Sequence, residues 1–410
     1  MSPSIHRSVL VLACATGLAL ASCGSSSKSG VTATTASTPS SSAASAATTA
    51  SPGTTASAAT TAKAPATTAA PGAGVTADGI SADRCAENKR AGKITYLSGV
   101  DLAATASIVE IVVAKDKGYF DKMCLDVDVK GSFSTANYPL VGANTAQFAS
   151  AGSYAEQLNF TKDGAQFVTV AIDGKIGIDA LLVRAEGTVK TPADLKGKKV
   201  GVKGALPPAE VALLNKFGLK QGKDYEEVSL DGFDPKQHWA LPIDALPVFK
   251  SNEPGQLDAA GIKYTMFDPA KEGIPGNFGI IYTNKKFHDE HPTAVQDFVR
   301  AAMRGMVDAI AKPDDAVALA FKKITENGNK NFLSDAGEKY RWGVEAKIVT
   351  DNTPKGEGIG MINAADLQKL VDAYTDAGVF KTKPTIAGTY DDALVKGIYN
   401  ADGTVIWPKA

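Results

Sequence analysis

The segment TASIVEIVVAKDKGYFDKMCLDVDV, residues 105–129, decides the fold. Its first half, Thr105–Gly118, carries Ile108, Val109, Ile111, Val112 and Val113, enough apolar side chains for the buried face of a helix. Its end, Leu125–Val129, alternates apolar and acidic residues, which is the period of a strand. Upstream, Lys93–Ser98 reads as another strand, so the region is a strand–helix–strand unit. Working outward, strands are expected at Gln147–Ala151, Phe167–Ile172, Asp179–Arg184, Lys199–Lys203, Ile262–Phe267 and Phe278–Tyr282. Pro207-Pro208 opens a helix, the residue type favoured at helix starts. Beyond residue 284 the pattern turns helical, at about 292–311, 313–326, 335–349, 363–378 and 389–400. In the first of these, Val295, Phe298, Val299, Ala302, Met303, Met306 and Ile310 keep one apolar stripe. Repeated βα units imply α/β layers.

The 410 residues hold 43 Lys and Arg against 44 Asp and Glu, a formal net charge of −1. That balance removes the electrostatic case for nucleic-acid binding. Hydrophobic residues make up 44% of the chain, enough for a real core. No apolar run reaches the ~18 residues that a spanning helix needs.

The N-terminal fifth reads differently. His6 and Arg7 precede an apolar run from Val9 to Leu20, then small residues, the layout of a secretory signal over 1–22. Leu20-Ala21-Ser22-Cys23 resembles the bacterial lipobox, which implies that Cys23 becomes the mature N-terminus and carries lipid. Residues 23–80 are nearly all Ser, Thr, Ala, Pro and Gly, a composition that cannot offset its ordering entropy and reads as a tether. Glycosylation of the tether is an open possibility. Of the four cysteines, Cys14 lies in the signal and Cys23 at the lipid position. Cys85 and Cys124 remain, an even pair in an exported protein, and a disulfide between them is expected; two unrelated buried thiols are the other reading.

Lys115-Asp116-Lys117-Gly118-Tyr119-Phe120 followed by Leu125-Asp126-Val127 resembles a stretch of the substrate-binding proteins of ABC importers, in the branch for thiamine pyrimidine precursors, taurine, aliphatic sulfonates and nitrate. Cys124 stands where that family usually has Gly. Thr191-Pro192-Ala193-Asp194-Leu195-Lys196-Gly197-Lys198-Lys199-Val200-Gly201-Val202 is similar to the family's opening of its second lobe. The resemblance implies an α/β, type 2 periplasmic-binding-protein fold. Two lobes, 82–178 with 285–410 and 179–284, would be joined by two crossovers, with a ligand in the cleft.

In open α/β sheets, ligands sit beyond the carboxyl ends of strands. That rule selects Asp101, Ser132, Ser134, Thr135, Ser153, Tyr154 and Gly204, together with Asp244, Phe249, Asn252 and Glu253. Several have plainer readings: helix caps for Asp101, Ser132, Ser134 and Thr135, a helix start for Glu253, a solvated edge for Asp244, and core for Tyr154 and Phe249. Trp342 reads as structural.

No nucleophile elbow, paired-His metal motif or P-loop occurs in the sequence. A eukaryotic pyrimidine synthase shares the implied fold and uses a Cys-rich iron site, and no such cluster is present here. His288 and His291 flank Asp289-Glu290 and fit helix capping better than a metal. The expectation is therefore a monomeric, cofactor-independent, extracytoplasmic lipoprotein, anchored to the membrane at Cys23, that hands a small solute to an ABC permease. The cleft candidates are acidic, which favours a thiamine pyrimidine precursor or related nitrogen heterocycle over a sulfonate, taurine or nitrate. A tethered adhesin or assembly protein is the alternative of another class.

Overall fold

The computed structural model describes residues 74–161, 166–327 and 334–409. The signal, Cys23 and most of the expected tether lie outside the described residues.

Folding begins earlier than the tether reading implied. Residues 74–80, expected within the tether, form a small hairpin of β1 (Val75–Thr76) and β2 (Gly79–Ile80). Val75 is buried in the core, and the Lys409 amide donates to the Ala77 carbonyl at 2.7 Å. Ser81 then caps the helix Ala82–Arg90 through the Arg84 amide.

Ten further strands follow: β3 (Lys93–Leu97), β4 (Asp126–Lys130), β5 (Phe148–Ala151), β6 (Phe167–Gly174), β7 (Asp179–Arg184), β8 (Lys199–Val202), β9 (Glu226–Ser229), β10 (Ala245–Phe249), β11 (Tyr264–Phe267) and β12 (Phe278–Asn284). They build two five-stranded sheets, one in the order β4-β3-β5-β12-β6 and one in the order β11-β7-β10-β8-β9. The chain crosses from the first sheet to the second between β6 and β7, and returns between β11 and β12. Each lobe is therefore one sheet with its helices, as expected for two lobes and two crossovers.

The boundary at 284 shifts. β12 pairs antiparallel with β5 and β6, so the second lobe ends before Phe278 rather than at residue 284. The two crossovers touch where both are glycine. A Cβ on Gly276 would stand 2.8 Å from the Gly177 nitrogen, so no larger residue fits between these backbones.

Helix Pro292–Ala311 lies across the first sheet and buries its expected stripe. Phe298 stacks on Phe148 with ring centroids 3.9 Å apart, and on Phe120 at 4.9 Å. The helix expected over 105–118 is instead a 3₁₀ turn, Leu102–Ile108, followed by α-helix Val109–Asp116. The break falls at Ile108 (φ −134°), beside Ser107, whose hydroxyl is drawn to Glu345. The expected 389–400 helix shrinks to Asp392–Lys396, started by the Asp391 cap.

Cys85 and Cys124 are joined in a disulfide, with Cα atoms 5.3 Å apart. Next to it, the Asp297 carboxylate is buried and accepts from Arg84 (2.7 Å), Asn88 (2.7 Å) and Arg300 (2.9 Å). These contacts fix helix Ala82–Arg90 to the first lobe. No helix among the described residues is long and apolar enough to cross a membrane.

Candidate functional site

β6 and β12 adjoin the crossovers in one sheet, and β7 and β11 in the other. The opposite edges are β4 and β9. A cleft between the carboxyl ends of the two sheets therefore runs from a hinge side at β6/β12 to a mouth at β4/β9.

The mouth is marked by two exposed aromatics. Phe133 follows β4 and is 49% exposed; Phe233 follows β9 and is 50% exposed. Their rings are parallel within 5°, with centroids 6.3 Å apart, one from each lobe. Exposed flat apolar faces of this kind suit a planar ligand or a closure contact.

Behind the mouth, buried carboxyl groups from both lobes come together. Asp179 opens β7, and because β7 runs antiparallel to β10 its first residue lies beside Phe249, at the cleft end. Burial pushes the Asp179 carboxyl up to about 7, the Glu156 charge adds to this, and Lys250 opposes it. Glu156 belongs to the first lobe, on helix Tyr154–Thr161, and burial raises its pKa as well. Glu210, in the first turn of helix Pro208–Lys216, is fully buried. Burial raises its pKa well above the usual range, reinforced by Asp179. A second group joins Glu110 and Asp173 of the first lobe to Glu345 of helix Asp335–Asn352. Burial raises all three, with Asp173 reaching about 7.

The neighbouring cations are already engaged. Lys203 meets Glu253 at 2.5 Å, and Lys250 meets Asp268 at 3.0 Å. Lys175 donates to the carbonyls of Ile172 and Met361, and burial lowers its pKa to about 8. Buried carboxyl groups beside cations that are already paired suit N–H donors or positive charge better than an anion.

A cavity of about 370 Å³ opens beside this region, between the second lobe and helix Asp335–Asn352. Asp234, Asn252, Gln256, Tyr340 and Arg341 line it. A second cavity, about 380 Å³, sits at the crossovers around Lys175 and Asn277. Both are large enough for a small organic molecule.

The sequence candidates fall into three groups. At the cleft edge stand Asp101, Ser132, Ser134, Thr135, Gly204, Phe249 and Asn252. Asp101 adopts φ 55°, ψ 179°, a conformation that costs a non-glycine residue about 1–3 kcal/mol, and its carboxylate caps the Leu102 amide at 2.7 Å. The Ser132 carbonyl accepts from the Asp101 amide at 2.6 Å. The Ser134 hydroxyl donates to Glu156. Thr135 and Gly204 are exposed, and Phe249 is 40% exposed. Asn252 lines the cavity and accepts from Arg341 at 2.6 Å.

In the second group the side chains are absorbed into the structure. The Ser153 hydroxyl accepts from the Glu156 amide at 3.2 Å as a helix cap. Tyr154 is core, not a stacking platform: its ring is fully buried and its hydroxyl lies 2.5 Å from Thr389 Oγ1. Glu253 is buried, and its oxygens are taken by Lys203 and the Phe249 amide (2.8 Å).

Asp244 forms the third group. It accepts from the Lys199 amide at 2.9 Å, at the start of β8 and so at the opposite end of the sheet from the cleft. Trp342 is buried and donates to the Ala309 carbonyl at 3.2 Å, a structural role. His288 sits 3.0 Å from both Asp289 and Asp391, tying two helix ends together.

Sequence reasoning missed Glu156, Asp179, Glu210, Phe133 and Phe233. A signal existed for two of them: Asp179 heads an otherwise apolar strand, and Glu210 interrupts the apolar run of its helix.

Residues 105–316, half of the chain, match the family model described as NMT1/THI5 like. The chain is 25% identical over 291 residues to the formylaminopyrimidine-binding protein of Halalkalibacterium halodurans, covering 68% of this chain and 83% of that one. It is 30% identical over 142 residues to the riboflavin-binding protein RibY of Chloroflexus aurantiacus, covering 32% of this chain and only 38% of that relative. Among solved structures, the alkanesulfonate-binding protein SsuA from Xanthomonas axonopodis pv. citri superimposes with a TM-score of 0.56 at 14% identity, covering 73% of this chain and 98% of that one. The desulfurization enzyme DSZB shares the fold at a TM-score of 0.51 and 14% identity, covering 74% of this chain and 98% of its own. At such identities these two structures speak for the fold alone. The two lobes, the paired crossovers and the family match together place the chain in the NMT1/THI5-like family of substrate-binding proteins.

Proposed function

We propose that the protein is an extracytoplasmic solute-binding lipoprotein that captures a flat, N–H-rich heterocycle of the thiamine-pyrimidine-precursor class in the inter-lobe cleft and delivers it to an ABC permease. The observation that carries this reading is the surplus of buried carboxyl groups at the cleft: Glu156, Asp179 and Glu210 are raised in pKa, while Lys203 and Lys250 are spent on Glu253 and Asp268. Such a carboxyl, ionised by the ligand it binds, pairs with ring amino groups or a protonated ring nitrogen, whereas a sulfonate or nitrate would find Lys203 and Lys250 already paired. Phe133 and Phe233 supply flat faces at the mouth. The names of the two relatives, one for a pyrimidine and one for riboflavin, support the same class of ligand.

Binding works by differential affinity. A ligand that touches both lobes stabilises the form in which they meet, and contributes about 2.7 kcal/mol of stability at 100 times its Kd. The ligand leaves unchanged. The test is mass spectrometry of the solute released from protein isolated under native conditions. An aminopyrimidine or related heterocycle is expected. A sulfonate, a chemically altered solute, or no solute at all together with no binding of added pyrimidines would contradict the reading.

The lipid anchor is part of the same proposal. Cys23→Ala is expected to abolish palmitate incorporation while leaving the lobes folded, and incorporation that persists would rule out Cys23 as the anchor.

A further inference from the structure

Helix Asp335–Asn352 has two faces with opposite chemistry. One face is bolted to the first lobe: Trp342 is buried with Val109, Met306 and Ala320, and its indole donates to the Ala309 carbonyl. The other face meets the second lobe through hydrogen-bonding groups and the ring of Tyr340, which packs on Gly255. Tyr340 donates its hydroxyl to the Lys250 carbonyl at 3.2 Å. Glu345 accepts from the Ser251 hydroxyl at 2.7 Å. Arg341, held by Glu338 on its own helix, donates to Asn252 at 2.6 Å. Three consecutive residues of the second lobe are thus gripped by one helix of the first.

The gripped residues form the turn between β10 and helix Glu253–Ala259, which presents Asn252 at the cavity. Gly255 lies under the Tyr340 ring, where a Cβ would stand 2.5 Å from the ring, so the fit depends on glycine. Glu345 also accepts from Ser107 of the first lobe at 2.7 Å, on the same oxygen that Ser251 uses. One buried carboxylate therefore spans the two lobes.

We propose that helix Asp335–Asn352 is a latch that holds the second lobe against the first through Tyr340, Arg341 and Glu345. Polar contacts suit a reversible catch, because each group returns to water at little net cost when the lobes part, while an apolar contact of equal area would resist opening. An apolar contact between the lobes lies elsewhere: Ala209 and Ala212 join the core that contains Leu370 and Tyr374 of helix Ala364–Asp376. That contact acts as the pivot and the latch acts as the catch. The latch regulates the cleft assigned above and rests on reading it as the binding site, but it operates without ligand.

The experiment measures inter-lobe distance with no ligand added. Spin labels at Lys130→Cys and Asp231→Cys, both exposed and next to the mouth, report the distance by pulsed electron resonance. The unaltered latch should give mainly one short distance. Ser251→Ala combined with Tyr340→Phe removes two cross-lobe bonds and keeps the packing, and should raise the long-distance population about tenfold. Ser107→Ala removes an equal bond to the same Glu345 oxygen without crossing the lobes, and should leave the distribution unchanged. Equal shifts in the Ser251/Tyr340 and Ser107 variants, or no shift in the former, would overturn the latch. Unfolding midpoints within a few degrees of the parent confirm that the variants are folded. Since no solute is used, failure of the latch leaves the ligand reading intact, and failure of the ligand reading leaves the latch.

Discussion

The first lobe packs its sheet under a stack of aromatic rings, whereas the second packs an equally wide sheet under Leu and Val. Phe298 alone touches Phe120, Phe148 and Tyr96 in the first. The cores of the second are built mainly from residues such as Leu181, Val183, Leu213 and Leu246. The first lobe also carries the disulfide and the Arg84–Asp297–Arg300 network, while the second carries the buried carboxyls of Asp179 and Glu210. The contrast divides the labour. One lobe is a braced platform, and the other, on the proposed function, trades stability for a binding edge, as functional sites commonly do.

The largest expected effect lies in the platform. Phe298→Ala should cost about 3–5 kcal/mol in denaturant unfolding, because it removes the shared ring of three stacked pairs. A loss below about 1 kcal/mol would break the picture of a braced first lobe. Next in size is the disulfide. Replacing Cys85 and Cys124 by Ser should cost about 2–4 kcal/mol. Thiol titration of the denatured, unreduced folded region should find neither cysteine reactive.

The second lobe should behave in the opposite sense. Asp179 has its pKa raised to about 7, above the value near 3.9 of an unfolded carboxyl. Between those values the folded state holds a proton that the unfolded state has lost, so stability falls as pH rises from about 4 to about 7. Asp179→Asn should remove this dependence, gaining on the order of 1–3 kcal/mol at pH 8 relative to the parent and little at pH 4. Thermal midpoints at the two pH values check it. The same substitution should weaken solute binding at least tenfold. A variant that is stabilised yet binds as the parent does would remove Asp179 from the site. The smallest effect is reserved for Asp244, which faces away from the cleft: Asp244→Ala should change affinity by less than about twofold, while costing about 1 kcal/mol through the lost bond to the Lys199 amide.

These contrasts were unevenly legible in the sequence. Long periodic helices such as Pro292–Ala311 and Pro313–Glu326 stood out because a single apolar stripe dictates them. β10 did not, since Pro247 interrupts it. The Lys250 amide bonds the Ile178 carbonyl of the chain entering β7, so with a period of two the Pro247 nitrogen faces away from β7 and its missing N–H costs that ladder nothing. The carboxyl-end rule led to Ser132, Ser134 and Asn252, which stand at the cleft edge, but passed over Asp179, because it assumes parallel strands and β7 is antiparallel. It also took Glu253 for a free ligand group, and nothing local to Asn252-Glu253-Pro254 foretells that Lys203, fifty residues away, would reach it. Pairings set by tertiary closure are invisible to local pattern, and the acidic cleft is made of such pairings.

If the buried carboxyl groups select the solute, an N–H-rich heterocycle should bind far better than an anion. Calorimetric titration of the unmodified folded protein at pH 7.5, first with formylaminopyrimidine and then with taurine or an alkanesulfonate, tests it most directly. Saturable binding of the pyrimidine is expected, at least a hundredfold tighter than any sulfonate, with the solute recovered unchanged. Preference for the sulfonate, or turnover of either solute, would contradict it.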